Sequence, residues 1–105
     1  MEKYAWTGRI LPGMREEYKR RHDEIWPEMK ELLRSAGIFN YTIWRDGDRL
    51  FGYYECKCGK DYAARIQGES PVVAKWNEYM KDVLVLEMDP ETGAQSKLEC
   101  VFSLD

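Results

Sequence analysis

Residues 40–57 read Asn40-Tyr41-Thr42-Ile43-Trp44-Arg45-Asp46-Gly47-Asp48-Arg49-Leu50-Phe51-Gly52-Tyr53-Tyr54-Glu55-Cys56-Lys57. Asp46-Gly47 at the centre is a strong hairpin signal, because a tight two-residue turn needs residues that tolerate positive φ. Both flanks are rich in aromatic residues, which favour strands. Asn40–Arg45 and Leu50–Lys57 are therefore expected to pair as antiparallel strands. Trp44 alternates against Tyr41 and Ile43, and Leu50 and Tyr54 alternate against Phe51 and Tyr53. Large side chains thus point to both faces, whereas a sheet face left in water reads polar. A second copy of the chain is expected to cover one face, giving a homodimer. The alternative is scattered surface aromatics, which taken singly mean little.

Upstream of the hairpin, Tyr4–Ile10 reads as a strand with Tyr4, Trp6 and Ile10 on one face. Leu11-Pro12-Gly13 turns the chain, and Met14 to about Glu24 reads as a helix. Glu16 to Arg20 and Glu17 to Arg21 form i,i+4 pairs in the favourable order. Pro27 cannot donate a backbone hydrogen bond, so it ends that helix and suits the first turn of another. This second piece runs to Ala36, with Gly37 as its stop. Downstream, Lys60–Ile66 reads as a short helix. Ser70 is a candidate N-cap with Pro71 behind it. Val72, Val73, Trp76, Tyr79, Met80 and Val83 then recur at helical spacing. Glu87–Ser96, with Asp89-Pro90-Glu91-Thr92-Gly93, reads as a connection, and Leu98–Leu104 as a closing strand. The order is β-α-β-β-α-β, the ferredoxin-like pattern of an α+β fold with an antiparallel sheet.

The chain has 105 residues, enough for one domain spanning residues 1–105. No apolar run approaches the roughly 18 residues a spanning helix needs, so no membrane segment is expected. Met1-Glu2-Lys3-Tyr4 does not open a signal peptide. Lys and Arg number 16 against 19 Asp and Glu, a net charge of −3, which argues against a nucleic-acid footprint. Cys56, Cys58 and Cys100 are odd in number, and the first two are spaced C-x-C. No disulfide framework is expected, and the reducing cytosol is the expected compartment. With one histidine beside them, a structural metal site is not expected either, and they read as small apolar side chains on strands. Nucleotide-binding glycine motifs and a G-x-S-x-G nucleophile elbow are absent.

Few residues can carry chemistry. His22 is the sole histidine and lies one helical turn after Tyr18, so the two share a face. A histidine exchanges protons near neutrality, although a lone one is more often structural. Trp76 and Tyr79 fit a core stripe, and a tryptophan is equally a platform for the apolar face of a sugar ring. Lys19-Arg20-Arg21 reads as a solvated helix face paired with Glu16 and Glu17.

The segment Tyr18-Lys19-Arg20-Arg21-His22-Asp23-Glu24-Ile25-Trp26-Pro27-Glu28 resembles the hallmark of the L-rhamnose mutarotase family. Asn40-Tyr41-Thr42-Ile43-Trp44 resembles that family's next strand, and Trp76-Asn77-Glu78-Tyr79-Met80 its second-helix motif. The resemblance covers essentially the whole chain. It implies a cytoplasmic homodimer of the dimeric α+β barrel type that interconverts the α and β anomers of L-rhamnose without metal or organic cofactor. It puts the proton-donating histidine on His22 and substrate contacts on Tyr18, Tyr41 and Trp76. Family members often carry a second aromatic after that tryptophan; here the position is Asn77, whose amide can hydrogen-bond a hydroxyl. Two readings of other classes share the architecture: a dimer that binds a small molecule without converting it, and a small cofactor-free oxygenase. Neither needs Tyr18, His22 and Trp76 to converge on a sugar-sized cleft.

Overall fold

The computed structural model describes residues 2–86 and 98–104. Its elements run β1 (Glu2–Ile10), α1 (Arg15–Asp23), α2 (Pro27–Ser35), β2 (Ile38–Asp46), β3 (Arg49–Cys56), α3 (Lys60–Glu69), α4 (Pro71–Met80) and β4 (Leu84–Leu86). They form one antiparallel sheet in the order β2-β3-β1-β4, with four helices, an α+β ferredoxin-like topology.

The hairpin forms where the sequence puts it. Asp46 pairs with Arg49 across Gly47-Asp48, and Gly47 takes φ of 62°. The helix breaks follow equally local rules. α2 starts on Pro27, and Gly37 at φ 78° ends its last turn, its N–H reaching Arg34 O at 2.9 Å. The Ser70 hydroxyl caps α4 by accepting from the N–H groups of Val72 (3.1 Å) and Val73 (3.4 Å).

One face of the sheet carries the core. Along β3 burial alternates, with Leu50, Gly52, Tyr54 and Cys56 buried and Arg49, Phe51, Tyr53 and Glu55 less so. The buried set joins Trp6 and Ile10 of β1 and Ile38 of β2 to Tyr18, Met29, Ala63, Trp76 and Met80 from the helices. The opposite face bears Trp44, which is 68% exposed.

Three expectations fail. Leu98–Leu104 is not a strand; it has no regular secondary structure, and Leu98, Val101, Phe102 and Leu104 are exposed. The place beside β1 is taken by Leu84–Leu86, opposite Gly8–Ile10. The later segment touches β1 through the Leu98 N–H on Ala5 O (3.2 Å) and the Lys3 ammonium on Ser103 Oγ (2.8 Å). Secondly, α4 stops at Met80. Val83 falls at helical spacing, yet it sits fully buried in the turn before β4, its carbonyl accepting from Leu11 N–H at 2.8 Å. Reading Val83 as helix concealed the short apolar strand behind it. Thirdly, only Cys56 is a buried strand residue; Cys58 and Cys100 are exposed and lie outside strands. The connection expected at Glu87–Ser96 lies outside the described residues.

Candidate active site

α1 presents two faces. Its outer face and flanks carry ion pairs: Arg20 joins Glu17 and Glu24, Lys19 joins Asp23, and the largely buried Arg21 joins Glu17 and Asp82. Glu17 rather than Glu16 takes Arg20. Hydrogen bonds from Arg20 and then Arg21 hold the Glu17 carboxyl down at about 2. The Arg21 guanidinium also donates to Tyr79 O at 2.7 Å and lies over the Tyr79 ring, 4.4 Å from its centroid, tying α1 to the end of α4.

The inner face carries Tyr18 and His22, with ring centroids 4.3 Å apart. His22 Nδ1 lies 3.1 Å from the Tyr18 carbonyl oxygen. A carbonyl only accepts, so Nδ1 carries the proton of that bond and the neutral ring keeps its lone pair on Nε2. Burial lowers the His22 pKa, opposed by the Tyr18 carbonyl bond and by Asp23. Desolvation penalises the imidazolium, so the neutral ring dominates at pH 7.

Trp76 meets His22 edge-on, with centroids 5.4 Å apart and planes at 88°. Trp26, from the bend between α1 and α2, meets Trp76 at 5.2 Å and 89°, and Tyr79 completes this wall. Edge-to-face packing of this kind fixes ring orientation as well as burying area.

Tyr41 arrives from the sheet by a less obvious route. Phe39 pairs with Glu55 and Thr42 with Tyr53, so Asn40 and Tyr41 together oppose Tyr54. This bulge is made by Asn40 at φ 50°, a left-handed conformation asparagine tolerates better than most residues. Counted back from the hairpin turn, Tyr41 shares the inner face with Ile43, and the extra residue returns Ile38, beyond the bulge, to that buried face. Tyr41 packs on Tyr54 at 5.0 Å and accepts the Trp6 indole N–H at 3.1 Å. Tyr4 stacks on the other side of Tyr54 at 4.9 Å. Burial raises the pKa of Tyr18 and Tyr41, and pushes that of Tyr54 up to about 12. All three phenols therefore stay protonated, able to donate. The Tyr18 hydroxyl is buried with no hydrogen-bond partner among the described residues.

These residues line an open cavity of about 1300 Å³ between helices and sheet. Tyr18, His22, Tyr41, Trp76 and Asn77 all line it, Asn77 as an exposed residue of α4. The five expected site residues therefore line one cavity, whereas Tyr79 does not. Trp6, Tyr54 and Gly52 carry no separate signal in the sequence, because a strand's inward residues all read as core. Among the described residues no three His, Cys, Asp or Glu side chains gather as a metal site requires. No helix among the described residues is long and apolar enough to cross a membrane.

The same fold and chain length recur in known proteins. A crystal structure of L-rhamnose mutarotase from Formosa agariphila superposes with a TM-score of 0.79 at 28% identity, covering all of both chains. A polyketide cyclase, tetracenomycin F2 cyclase from Streptomyces glaucescens, superposes with a TM-score of 0.70 at 17% identity, a likeness of fold alone. The L-rhamnose mutarotase of Rhizobium johnstonii is 40% identical, over 99% of this chain and 97% of its own. That of Sinorhizobium fredii is 42% identical, over 99% of each. The family model for L-rhamnose mutarotase matches residues 3–104. Full-length agreement in sequence and in backbone leaves one assignment, and the chain belongs to the L-rhamnose mutarotase family.

Proposed function

We propose that this protein is an isomerase that interconverts the α and β anomers of L-rhamnose, with His22 moving the protons. The observation that carries the reading is the convergence of Tyr18, His22, Tyr41 and Trp76 on one cavity. Such a site offers flat ring faces for the apolar side of a deoxy sugar and hydroxyls for its polar edge. A buried hydroxyl without a partner costs about 1–3 kcal/mol, and a sugar hydroxyl reaching Tyr18 recovers that.

Anomerisation opens and recloses the hemiacetal. The anomeric hydroxyl loses its proton, the bond from the anomeric carbon to the ring oxygen breaks, a carbonyl forms, and the ring oxygen gains a proton. With Nδ1 tied to the Tyr18 carbonyl, proton traffic through His22 runs at Nε2. Nε2 takes the anomeric proton and, as the imidazolium, donates a proton to the ring oxygen. One nitrogen serves both oxygens because both are bonded to the same carbon. Closure on the other carbonyl face reverses the transfers and restores the neutral ring. Proton transfer of this kind contributes about 10² to 10⁴ in rate. Tyr18, Tyr41, Trp76 and Asn77 hold the sugar.

We further propose a homodimer in which a second copy covers the outer sheet face around Trp44, Phe51 and Val85. Sedimentation equilibrium at micromolar concentration is expected to give twice the chain mass; a clean monomer contradicts it. The free thiols of Cys56, Cys58 and Cys100 suit a reducing cytoplasm, the compartment we assign. The activity itself is tested by NMR magnetisation transfer between the anomeric signals of several deoxy sugars. L-Rhamnose is expected to exchange fastest with the protein present, and exchange no faster than in buffer contradicts the reading.

A further inference from the structure

Trp6 reaches across the sheet to touch Tyr41, and the neighbouring strand is shaped to allow it. A Cβ on Gly52 would lie 2.1 Å from Trp6 Cε2 and 2.2 Å from Nε1, far inside contact distance. The indole therefore lies flat over β3, at the one residue of that strand with no side chain. Trp6 is 5% exposed. Its N–H ends 3.1 Å from Tyr41 Oη on β2, one strand further on.

The direction of that hydrogen bond needs no knowledge of hydrogen positions. An indole nitrogen only donates, so the tyrosine oxygen accepts. The Tyr41 hydroxyl proton is thereby freed to point elsewhere. Tyr41 keeps 36% of its surface exposed and lines the cavity, while its oxygen is anchored on a buried group. Chained hydrogen bonds polarise one another, so a phenol that accepts is a better donor.

We propose that Trp6 is a positioning residue of the reaction: seated on Gly52, it turns the Tyr41 hydroxyl into a fixed donor toward the anomeric oxygen, which is left negatively charged when its proton passes to His22. The proposal rests on the anomerisation reading above. It identifies the partner of His22. While Nε2 carries the anomeric proton, the oxygen it left is stabilised by the Tyr41 O–H without further proton transfer. Donors fixed before reaction stabilise developing charge most effectively, because they need no reorganisation.

The test is a double-mutant cycle on L-rhamnose anomer exchange with Trp6→Phe, Tyr41→Phe and both together. Trp6→Phe is expected to lower kcat about tenfold, the scale of one neutral hydrogen bond, with KM within about twofold. Tyr41→Phe should lose at least as much, and the double variant no more than Tyr41→Phe alone, because both changes break one chain. Losses that multiply overturn the proposal, as does an unchanged kcat in folded Trp6→Phe. A second readout leaves the indole in place. The Trp6 indole N–H signal in ¹⁵N-labelled protein should shift on adding L-rhamnose, and Tyr41→Phe should abolish that shift. A rhamnose-induced shift that survives Tyr41→Phe overturns the proposal even if Trp6→Phe does not fold. If wild-type protein fails to accelerate exchange, the anomerisation reading falls; if it accelerates exchange and the losses multiply, only the role of Trp6 falls.

Discussion

The two faces of the sheet are both rich in aromatic rings, and they differ in what those rings do. On the inner face Trp6, Tyr41 and Tyr54 are locked to each other and face a helix layer that supplies Tyr18, His22 and Trp76. On the outer face Trp44 is 68% exposed, its N–H satisfied by Thr42 two residues away. Arg49 lies over Phe51 and Lys57 over Phe39, as long cationic side chains do on surfaces open to water. Ring count is therefore a poor guide to a site. What distinguishes the faces is that the inner rings bring convergent polar groups to one cavity, whereas the outer rings stand exposed.

That contrast predicts a steep difference between two tryptophans. Trp76→Ala removes a 7%-exposed ring from the wall against His22 and is expected to cost about 3–5 kcal/mol in denaturant unfolding. At the junction between the faces, Asn40→Val puts a β-branched residue at φ 50° and is expected to cost about 1–2 kcal/mol. It should lower activity too, because strain at the bulge disturbs the adjoining Tyr41; Asn40→Gly, which tolerates that φ, should retain both. Trp44→Ala should change monomer stability by about 0.5 kcal/mol or less while shifting the sedimentation profile toward monomer. Equal stability losses for Trp76→Ala and Trp44→Ala would erase the distinction between the faces.

The features legible in the sequence were those set by neighbouring residues. Asp46-Gly47, Pro27, Gly37 and the Ser70-Pro71 cap each act within a few bonds of themselves, and each forms as expected. The order of elements gave the topology, and one helical turn brought Tyr18 to His22. What remained hidden depends on distant partners. Nothing local marks Asn40 as a bulge, so Asn40–Arg45 read as a regular strand. Gly52 read as an ordinary strand residue because its purpose, room for an indole from β1, lies two strands from Tyr41. The fourth strand hides at Leu84–Leu86 because three residues carry too little periodicity to be seen, and Val83 continues the helical spacing. The family resemblance supplied Tyr41 as a site residue; its alternation with Trp44 puts it on the face of Ile43, which packs against the core.

In the proposed reaction neutral His22, its Nδ1–H held by the Tyr18 carbonyl, carries protons through Nε2. Anomer exchange of L-rhamnose measured from pH 5 to 9 on wild type and His22→Asn tests it directly. Burial lowers the His22 pKa, so the neutral form needed to accept the anomeric proton persists below the ordinary histidine value of about 6.5. Wild-type exchange should hold steady from neutral pH downward and fall only below that value, as the ring becomes protonated before it can act. His22→Asn should lose about 10² or more in rate and show no such acid limb, with L-rhamnose still binding through Tyr18, Tyr41 and Trp76. Exchange undiminished in His22→Asn, or an acid limb that survives the substitution, would contradict the account.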